Sequence, residues 1–463
     1  MKKTIDLDRL FNPSTIAVVG ASKDSGKTGN RYLSNLMDSN FRGKLYPVNP
    51  REAEIMGLQS YPSIADVPVD VDLAMVTVPS TIVPQVIEDC ARKRVKFAVV
   101  HSAGFAELGD KGLELQEKML TAARQGNTRI IGPNCMGIYS PQAGINTIAP
   151  APATKEASGG IAFAGQSGWV VENVMVMGYE RGLRFSKVVS IGNQSDLTVE
   201  DLLEYFATDN ETQVIGFYVE GFKRGKEFLQ LARQVSREKP VVVWKAGRTE
   251  EGARAAASHT GSIAGSAVVF DAALRQNGVT VAKNLWELID LIVGFTSPVL
   301  PQGNRLGLLV EAGGGGVAAA DAATTLGFEL PVLTAEAQQE MTNVLRDVSP
   351  PFASPRNPVD IVWGPTSGRA QFFVRCSQPI MKEVDTLLSI NYAVNDDEFA
   401  EAISELRDET EKPILLVPGH PSQSREAMGR LTRSGIPTFN TPENALGALA
   451  AMLRYSKYRN NDD

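Results

Sequence analysis

Three times along the chain a short run of apolar residues ends in a glycine-rich turn that opens into a helix-patterned stretch: VVGASKDSG at Gly20, AFAGQSGW at Gly165 and LVEAGGGG at Gly313. A strand that reads as an unbroken apolar run is covered on both faces, and its return to a parallel neighbour needs a helical crossover. This junction commits the chain to parallel sheets. The three glycines stand 145 and 148 residues apart in a chain of 463, so each is expected to begin a doubly wound domain of its own. The predicted class is α/β, with three Rossmann- or flavodoxin-like domains on mainly parallel sheets, over residues 1–147, 148–296 and 297–463. Two stretches rich in turn residues fit those divisions, IAPAPATKEASGG at 148–160 and TSPVLPQGN at 296–304.

Further runs rich in Val and Ile are expected as strands at 16–19, 73–78, 97–101 and 129–131, at 161–164, 187–191, 214–220 and 240–245, and at 306–310, 386–391 and 414–417. Between them, stretches such as 111–124, 200–207, 226–236 and 444–455 place apolar residues at three- and four-residue intervals, the period of an amphipathic helix. With 43% hydrophobic and 21% charged residues and a net charge of −7, the chain is composed like a soluble globular protein and lacks the basic surplus of a nucleic-acid binder. Cys90, Cys135 and Cys376 are too few and too scattered for a disulfide framework or a zinc site, so no metal is predicted and a reducing cytoplasm is expected. Acidic Asp6 and Asp8 interrupt the N-terminus, and no stretch reaches the ~20 apolar residues of a membrane span. Neither secretion nor membrane insertion is expected.

Ligands of open parallel sheets sit beyond the C-terminal strand ends, where a glycine turn lets free helix N-terminal amides meet a phosphate. Three turns therefore allow several phosphate sites, although glycine is also the ordinary residue for any tight strand-to-helix turn. At the first turn, Gly26, Lys27 and Thr28 imitate a nucleotide-binding loop, but five residues separate Gly20 from Gly26 where that loop requires four. The dinucleotide fingerprint fails as well, because Gly20 runs into Ala21 and Ser22, and the next strand ends in PVNP with Asn49 where a carboxylate would read a ribose. The fold can be Rossmann-like with another adenine compound as its ligand.

Of only three histidines, His259 stands in a bed of small residues, GRTEEGARAAASHTGSIAGS at 247–266. A core histidine packs among bulky neighbours, whereas this one belongs to a loop able to lie against backbone or to move. Neutral imidazole is available near pH 7 and can accept a phosphoryl group as a covalent intermediate. An incidental exposed histidine fits the local composition too. Glu220 ends the apolar strand VIGFYVEG, which would place a carboxylate in the same crevice, where it could orient an imidazole through its ring N–H; a solvated strand-end Glu is the alternative. His101 and His420 also follow apolar strands, and for both a structural role is the simpler expectation.

Residues 247–266, centred on SHTG, resemble the phosphohistidine segment of the NDP-forming acyl-CoA synthetases, relatives of succinyl-CoA synthetase. The resemblance covers essentially the whole chain: VVGASKDSGKTGN, YPVNP, VTVPS, HSAGF and GPNCMG in a CoA-binding first domain, AGQSGW and the histidine segment in a second, EAGGGG and NPVD in a third. The order is that of the α subunit of the ADP-forming acetyl-CoA synthetase type. The resemblance implies that Gly20, Ala21, Ser22, Lys27, Asn49, Pro79, Ser80 and Asn134 bind CoA as a substrate, that His259 is phosphorylated, and that Glu220 steadies it. It further implies that Gln166, Ser167 and Gly168 share the phosphate with Gly314, Gly315 and Gly316 through paired helix N-termini. Nucleotide chemistry, ADP or ATP with Mg2+, is implied to reside on an ATP-grasp β subunit, in an α2β2 heterotetramer, because none of the 463 residues is left to encode such a domain. Asn357 and Asp360 of NPVD are implied to shape a loop without a chemical step, and Ala267 departs from relatives that carry an acidic residue there.

Two other functional classes stand beside this one. A catalytically silent CoA-binding regulator or scaffold would keep the fold, but would not need His259. A nicotinamide-dependent oxidoreductase is opposed by the first-turn spacing and Asn49.

Overall fold

The computed structural model describes residues 6–148, 158–252, 254, 267–396 and 398–460. Their apolar runs become β1 (Thr15–Val19), β2 (Lys44–Val48), the short hairpin strands β3 (Glu54–Ile55) and β4 (Leu58–Gln59), β5 (Leu73–Val76), β6 (Phe97–Val100) and β7 (Arg129–Ile131). All of these except the hairpin form one parallel sheet in the order β2-β1-β5-β6-β7. The order reverses at β1, so the crevice for a ligand opens between the C-terminal ends of β1 and β5.

A second sheet follows from β8 (Gly137–Ser140), β9 (Ile145–Asn146), β10 (Ile161–Gly165), β11 (Phe185–Ser190), β12 (Val214–Val219), β13 (Val241–Lys245) and β14 (Thr280–Ala282). Its order is β14-β13-β12-β10-β11-β8-β9, parallel from β14 to β11, with β8 antiparallel to β11 and β9 antiparallel to β8. Here β10 is the switch point, and Gly165 is its last residue. Residues 137–146, on the N-terminal side of the division expected at 147, thus hydrogen-bond to the second sheet. Strands of four and two residues show no period of their own.

The third sheet, β15 (Leu306–Val310), β16 (Val359–Asp360), β17 (Thr386–Asn391) and β18 (Ile414–Pro418), is parallel in the order β16-β15-β17-β18. Backbone contacts divide the chain into two compact units. One holds residues to 176 together with Arg184–Lys283, and therefore the first two sheets; the other holds Met177–Leu183 with the chain from Asn284 onward, and therefore the third.

Within the first unit the two sheets share a continuous apolar core. Phe11 of the N-terminal helix Asp8–Phe11 lies 6.2 Å from Phe206, Phe206 lies 6.3 Å from Phe217 of β12, and Phe217 lies 6.0 Å from Phe228. Each such buried ring contributes about 1.5–3 kcal/mol relative to exposure. The opposite face of the first sheet packs its own cluster around Val76, Val100, Phe105 and Met119. In the second unit the core gathers around Leu309, Phe373, Leu387 and Phe399, and Arg181 is held by Asp290 at 2.9 Å and by Thr438 O at 2.6 Å. No helix among the described residues is long and apolar enough to cross a membrane.

Candidate active site

At the first sheet, Gly20 has φ +91°, and a Cβ there would stand 2.8 Å from Thr77 Oγ1, so only glycine fits this close pass over β5. Its N–H donates to Val48 O at 3.0 Å. Asn49 Nδ2 donates to Ala21 O at 2.7 Å while its Oδ1 accepts from Arg51 N–H at 2.8 Å, which pins the end of β2 onto the turn. Ser22 Oγ accepts from Asp24 N–H at 3.1 Å, and Asp24 Oδ1 in turn accepts from Gly26 N–H at 2.9 Å. The helix Thr28–Asp38 then starts after exposed Lys27. Its Gly29 comes so near that a Cβ would collide with the Gly20 carbonyl, a second required glycine that sequence reasoning missed.

Pro79 and Ser80 follow β5, and Asn134 follows β7 in the left-handed region at φ +59°. Because the sheet is parallel, Gly20, Ala21, Ser22, Asn49, Pro79, Ser80 and Asn134 all lie along one edge. Asn134 Nδ2 reaches Asn193 Oδ1 at 3.5 Å, Asn193 Nδ2 donates to Glu107 Oε2 at 2.6 Å, and Glu107 Oε1 accepts from Gly104 N–H at 2.6 Å. Burial opposes ionisation of Glu107, but the donors Asn193 and Gly104 outweigh it and hold the carboxyl below its usual range. This network joins the end of the first sheet to the turn after β11. The remote Asn193 and Glu107 carried no sequence signal.

At the second sheet, Gln166 is the hub. Its N–H donates to Tyr218 O at 3.2 Å, and its Oε1 accepts from the N–H groups of Glu220 at 2.6 Å and Gly221 at 3.1 Å. Its own amide is therefore engaged, and the first amides of the helix Gly168–Glu180 are the ones left to face a ligand. Glu220 is only 8% exposed, and its Oε2 is buried without a partner among the described residues. Burial and the adjacent Glu220 carboxylate both push the Tyr218 phenol up. Burial lowers Lys245 while Glu220 pulls it the other way; its Nζ donates to Ala246 O and lies 5.7 Å from the Phe270 ring centroid.

His259 lies outside the described residues. The chain on either side of residues 255–266 is tied together, because Arg248 grips Asp271 of the helix Ala267–Gln276 through two hydrogen bonds of 2.9 and 2.5 Å. Residues 246–252 follow the C-terminal end of β13, the sheet edge that also carries Glu220 and Gln166.

At the third sheet, the helix Gly313–Thr325 begins directly after β15. Gly314 has open space where a side chain would stand, whereas a Cβ at Gly313 would lie 2.7 Å from Asp360 Oδ2. Glu311 is buried and fully engaged, accepting from Arg369 at 2.9 and 3.2 Å, from Gly364 N–H at 3.1 Å and from Tyr392 N–H. That pair escaped the sequence because Arg369 lies far along the chain. Asn357 accepts from Leu308 N–H and donates to Leu306 O, both at 2.9 Å, serving as a strand partner for β15.

His101 Nδ1 lies 2.8 Å from Cys135 O and 2.9 Å from Tyr32 Oη, which fixes its proton on Nδ1, and burial lowers its pKa. His420 is exposed, edge-on to Tyr392. All three cysteines are buried, and burial pushes the Cys90 and Cys135 thiols up to about 12, far from a reactive thiolate.

A family profile described as a CoA binding domain matches residues 14–141, and one described as a succinyl-CoA ligase like flavodoxin domain matches residues 158–295. The α subunit of ADP-forming acetate-CoA ligase II from Pyrococcus furiosus is 38% identical over 460 residues, covering 97% of this chain and 98% of that protein. An ADP-forming acetate-CoA ligase of Methanocaldococcus jannaschii is 37% identical over 465 residues, covering 99% of this chain and 64% of that protein. Among solved structures, the dinucleotide-forming acetyl-coenzyme A synthetase 1 of Ca. Korarchaeum cryptofilum, in complex with phosphate and ADP, matches with a TM-score of 0.85 and 38% identity over 98% of this chain and 97% of that one.

Proposed function

The chain belongs to the NDP-forming acyl-CoA synthetase family, in the α-subunit type, and we propose that with an ATP-grasp partner it interconverts acyl-CoA, ADP and phosphate with carboxylic acid, CoA and ATP. The observation that carries this reading is Glu220, a carboxylate more than nine-tenths buried with an unpartnered oxygen, held at a strand end beside a helix N-terminus. An orphaned buried carboxylate oxygen calls for a donor. The ring N–H of His259 supplies one.

CoA lies along the C-terminal edge of the first sheet, with its phosphates toward the Gly20 turn and Lys27 and its thiol end toward Asn134. A phosphate oxygen attacks the thioester carbonyl, the C–S bond breaks, and acyl phosphate and the CoA thiolate result. The free imidazole nitrogen of His259 then attacks phosphorus, the P–O bond to the acyl group breaks, and the carboxylate leaves. Amides at the start of the helix at Ser167–Gly168 neutralise the phosphate throughout. Glu220 accepts the other ring N–H and raises the basicity of the attacking nitrogen. Phospho-His259 passes its phosphoryl group to ADP, held with Mg2+ on the partner in an α2β2 assembly.

The test is acyl-CoA-dependent ATP formation by this chain with and without an ATP-grasp partner. Activity that requires both chains and disappears in His259→Ala, with CoA binding retained, supports the reading. ATP formation that persists in His259→Ala contradicts it.

A further inference from the structure

Glu220 can orient an imidazole only if the backbone that carries it stays in place, and two glutamines grip that backbone. The peptide following Glu220 is held at both ends. Gly221 N–H donates to Gln166 Oε1 at 3.1 Å, and Gly221 O accepts from Gln194 Nε2 at 3.2 Å. Gln166 Oε1 also accepts from Glu220 N–H at 2.6 Å. Further along, Arg224 N–H donates to buried Glu200 Oε1 at 2.8 Å, and the Phe222 ring lies 4.2 Å from that of Phe228.

Gln194 reaches Gly221 from another element. It stands in the turn between β11 and the helix Val199–Thr208, is 2% exposed, and has φ +51°, a region that residues other than glycine seldom enter. Its Oε1 accepts from Val199 N–H at 3.0 Å, one of the first helix amides that no carbonyl of the helix can serve. An amide oxygen committed to that N–H leaves the NH2 group to face Gly221 O, so the orientation of the side chain is set. The neighbouring residues of the turn hold the end of the first sheet. Asn193 N–H donates to Pro133 O at 3.0 Å, Ser195 N–H donates to Gly132 O at 3.1 Å, and a Cβ at Gly192 would stand 2.1 Å from Pro133 O. One short turn thus braces Gly132–Asn134 on one side and the Glu220 loop on the other.

We propose that Gln194 is a positioning residue for phosphotransfer: through Gly221 it fixes Glu220 relative to the Gly132–Asn134 edge, and so fixes how the carboxylate meets the imidazole of His259. The inference rests on the reading given above and adds to it a residue outside every site assigned there. Capping the helix needs only the Gln194 oxygen; the Nε2 bond to Gly221 O is the part that acts on the site. Misplacing a group by about 1 Å can cost about 100-fold in rate, and loosening one hydrogen bond of its support is expected to cost about tenfold.

The test uses the complete enzyme with its ATP-grasp partner. Rapid quench follows phosphorylation of His259 from inorganic phosphate and the fastest of acetyl-, isovaleryl- and phenylacetyl-CoA, with the KM for that acyl-CoA and the urea midpoint measured alongside. Gln194→Met keeps the volume and loses both hydrogen bonds. Gln194→Glu keeps an acceptor for Val199 N–H and loses the donor to Gly221 O. Both variants are expected to slow phosphorylation about tenfold with KM unchanged, and to slow it no further in a Glu220→Gln background, because groups acting through one another are not additive. Should one variant fail to fold, the other decides. A wild-type rate in either folded variant overturns the inference. So does equal slowing with and without the Glu220 carboxylate, or a change confined to KM or to the urea midpoint; Gln194 is then a helix cap or a support of the CoA edge, and the relay stands. No phosphate on His259 in the wild type overturns the relay, and the inference with it.

Discussion

Leaving a buried carboxylate oxygen without a donor costs about 1–3 kcal/mol, and Glu220 bears that cost among the described residues. Glu220→Gln is expected to slow phosphotransfer roughly 10- to 100-fold, the scale for removing a partner that orients a working histidine. Rapid-quench phosphotransfer measured beside CoA affinity checks it, and an unchanged rate with normal folding contradicts it. His101 supplies the contrasting case. Burial lowers its folded pKa from 6.5, so the neutral ring belongs to the native state and the unfolded chain takes up the proton first. The stability this contributes is fully present above pH 6.5 and is lost as pH falls through the lowered value. His101→Gln should flatten that part of the stability profile in urea titrations between pH 7 and 5. Of these two residues, the place of Glu220 at a strand end was legible from the apolar run that precedes it. The structural use of His101 was legible only as an expectation, because Tyr32 and Cys135 lie far from it in sequence.

At the scale of the element, the strand-to-helix junctions were legible because an apolar run followed by glycines has few other solutions, and the three turns did become β1, β10 and β15 with their following helices. The antiparallel pair β8 and β9 was not legible, since its strands are too short to show alternation and their pairing with β11 is set by tertiary contact. Nor does sequence rank the glycines. Gly29 and Gly314 both sit in first turns of helices, yet a Cβ collides with the Gly20 carbonyl at the former and meets nothing within 4 Å at the latter. Gly29→Ala should destabilise by about 1–3 kcal/mol through the forced shift of backbone and weaken CoA binding with it. Gly314→Ala should be neutral or stabilising by about 0.4–1 kcal/mol. Urea denaturation of the two variants distinguishes them, and equal losses would contradict the local geometry.

For the whole molecule, the first two sheets share one core and the third sheet folds in a separate unit, a grouping that the even spacing of three turns did not reveal. Spacing along the chain counts strand-to-helix junctions. Shared cores depend on which faces meet, here through rings as distant in sequence as Phe11 and Phe206. The chemistry proposed for this assembly converges on one atom of one side chain, and the decisive measurement is peptide mass analysis of the chain after incubation with ATP, Mg2+ and its ATP-grasp partner. The account predicts an acid-labile, base-stable phosphate on the peptide containing His259, discharged when acid and CoA are added and absent from His259→Ala. No phosphate on that peptide with a nucleotide-competent partner, or equal labelling of wild type and His259→Ala, would contradict it.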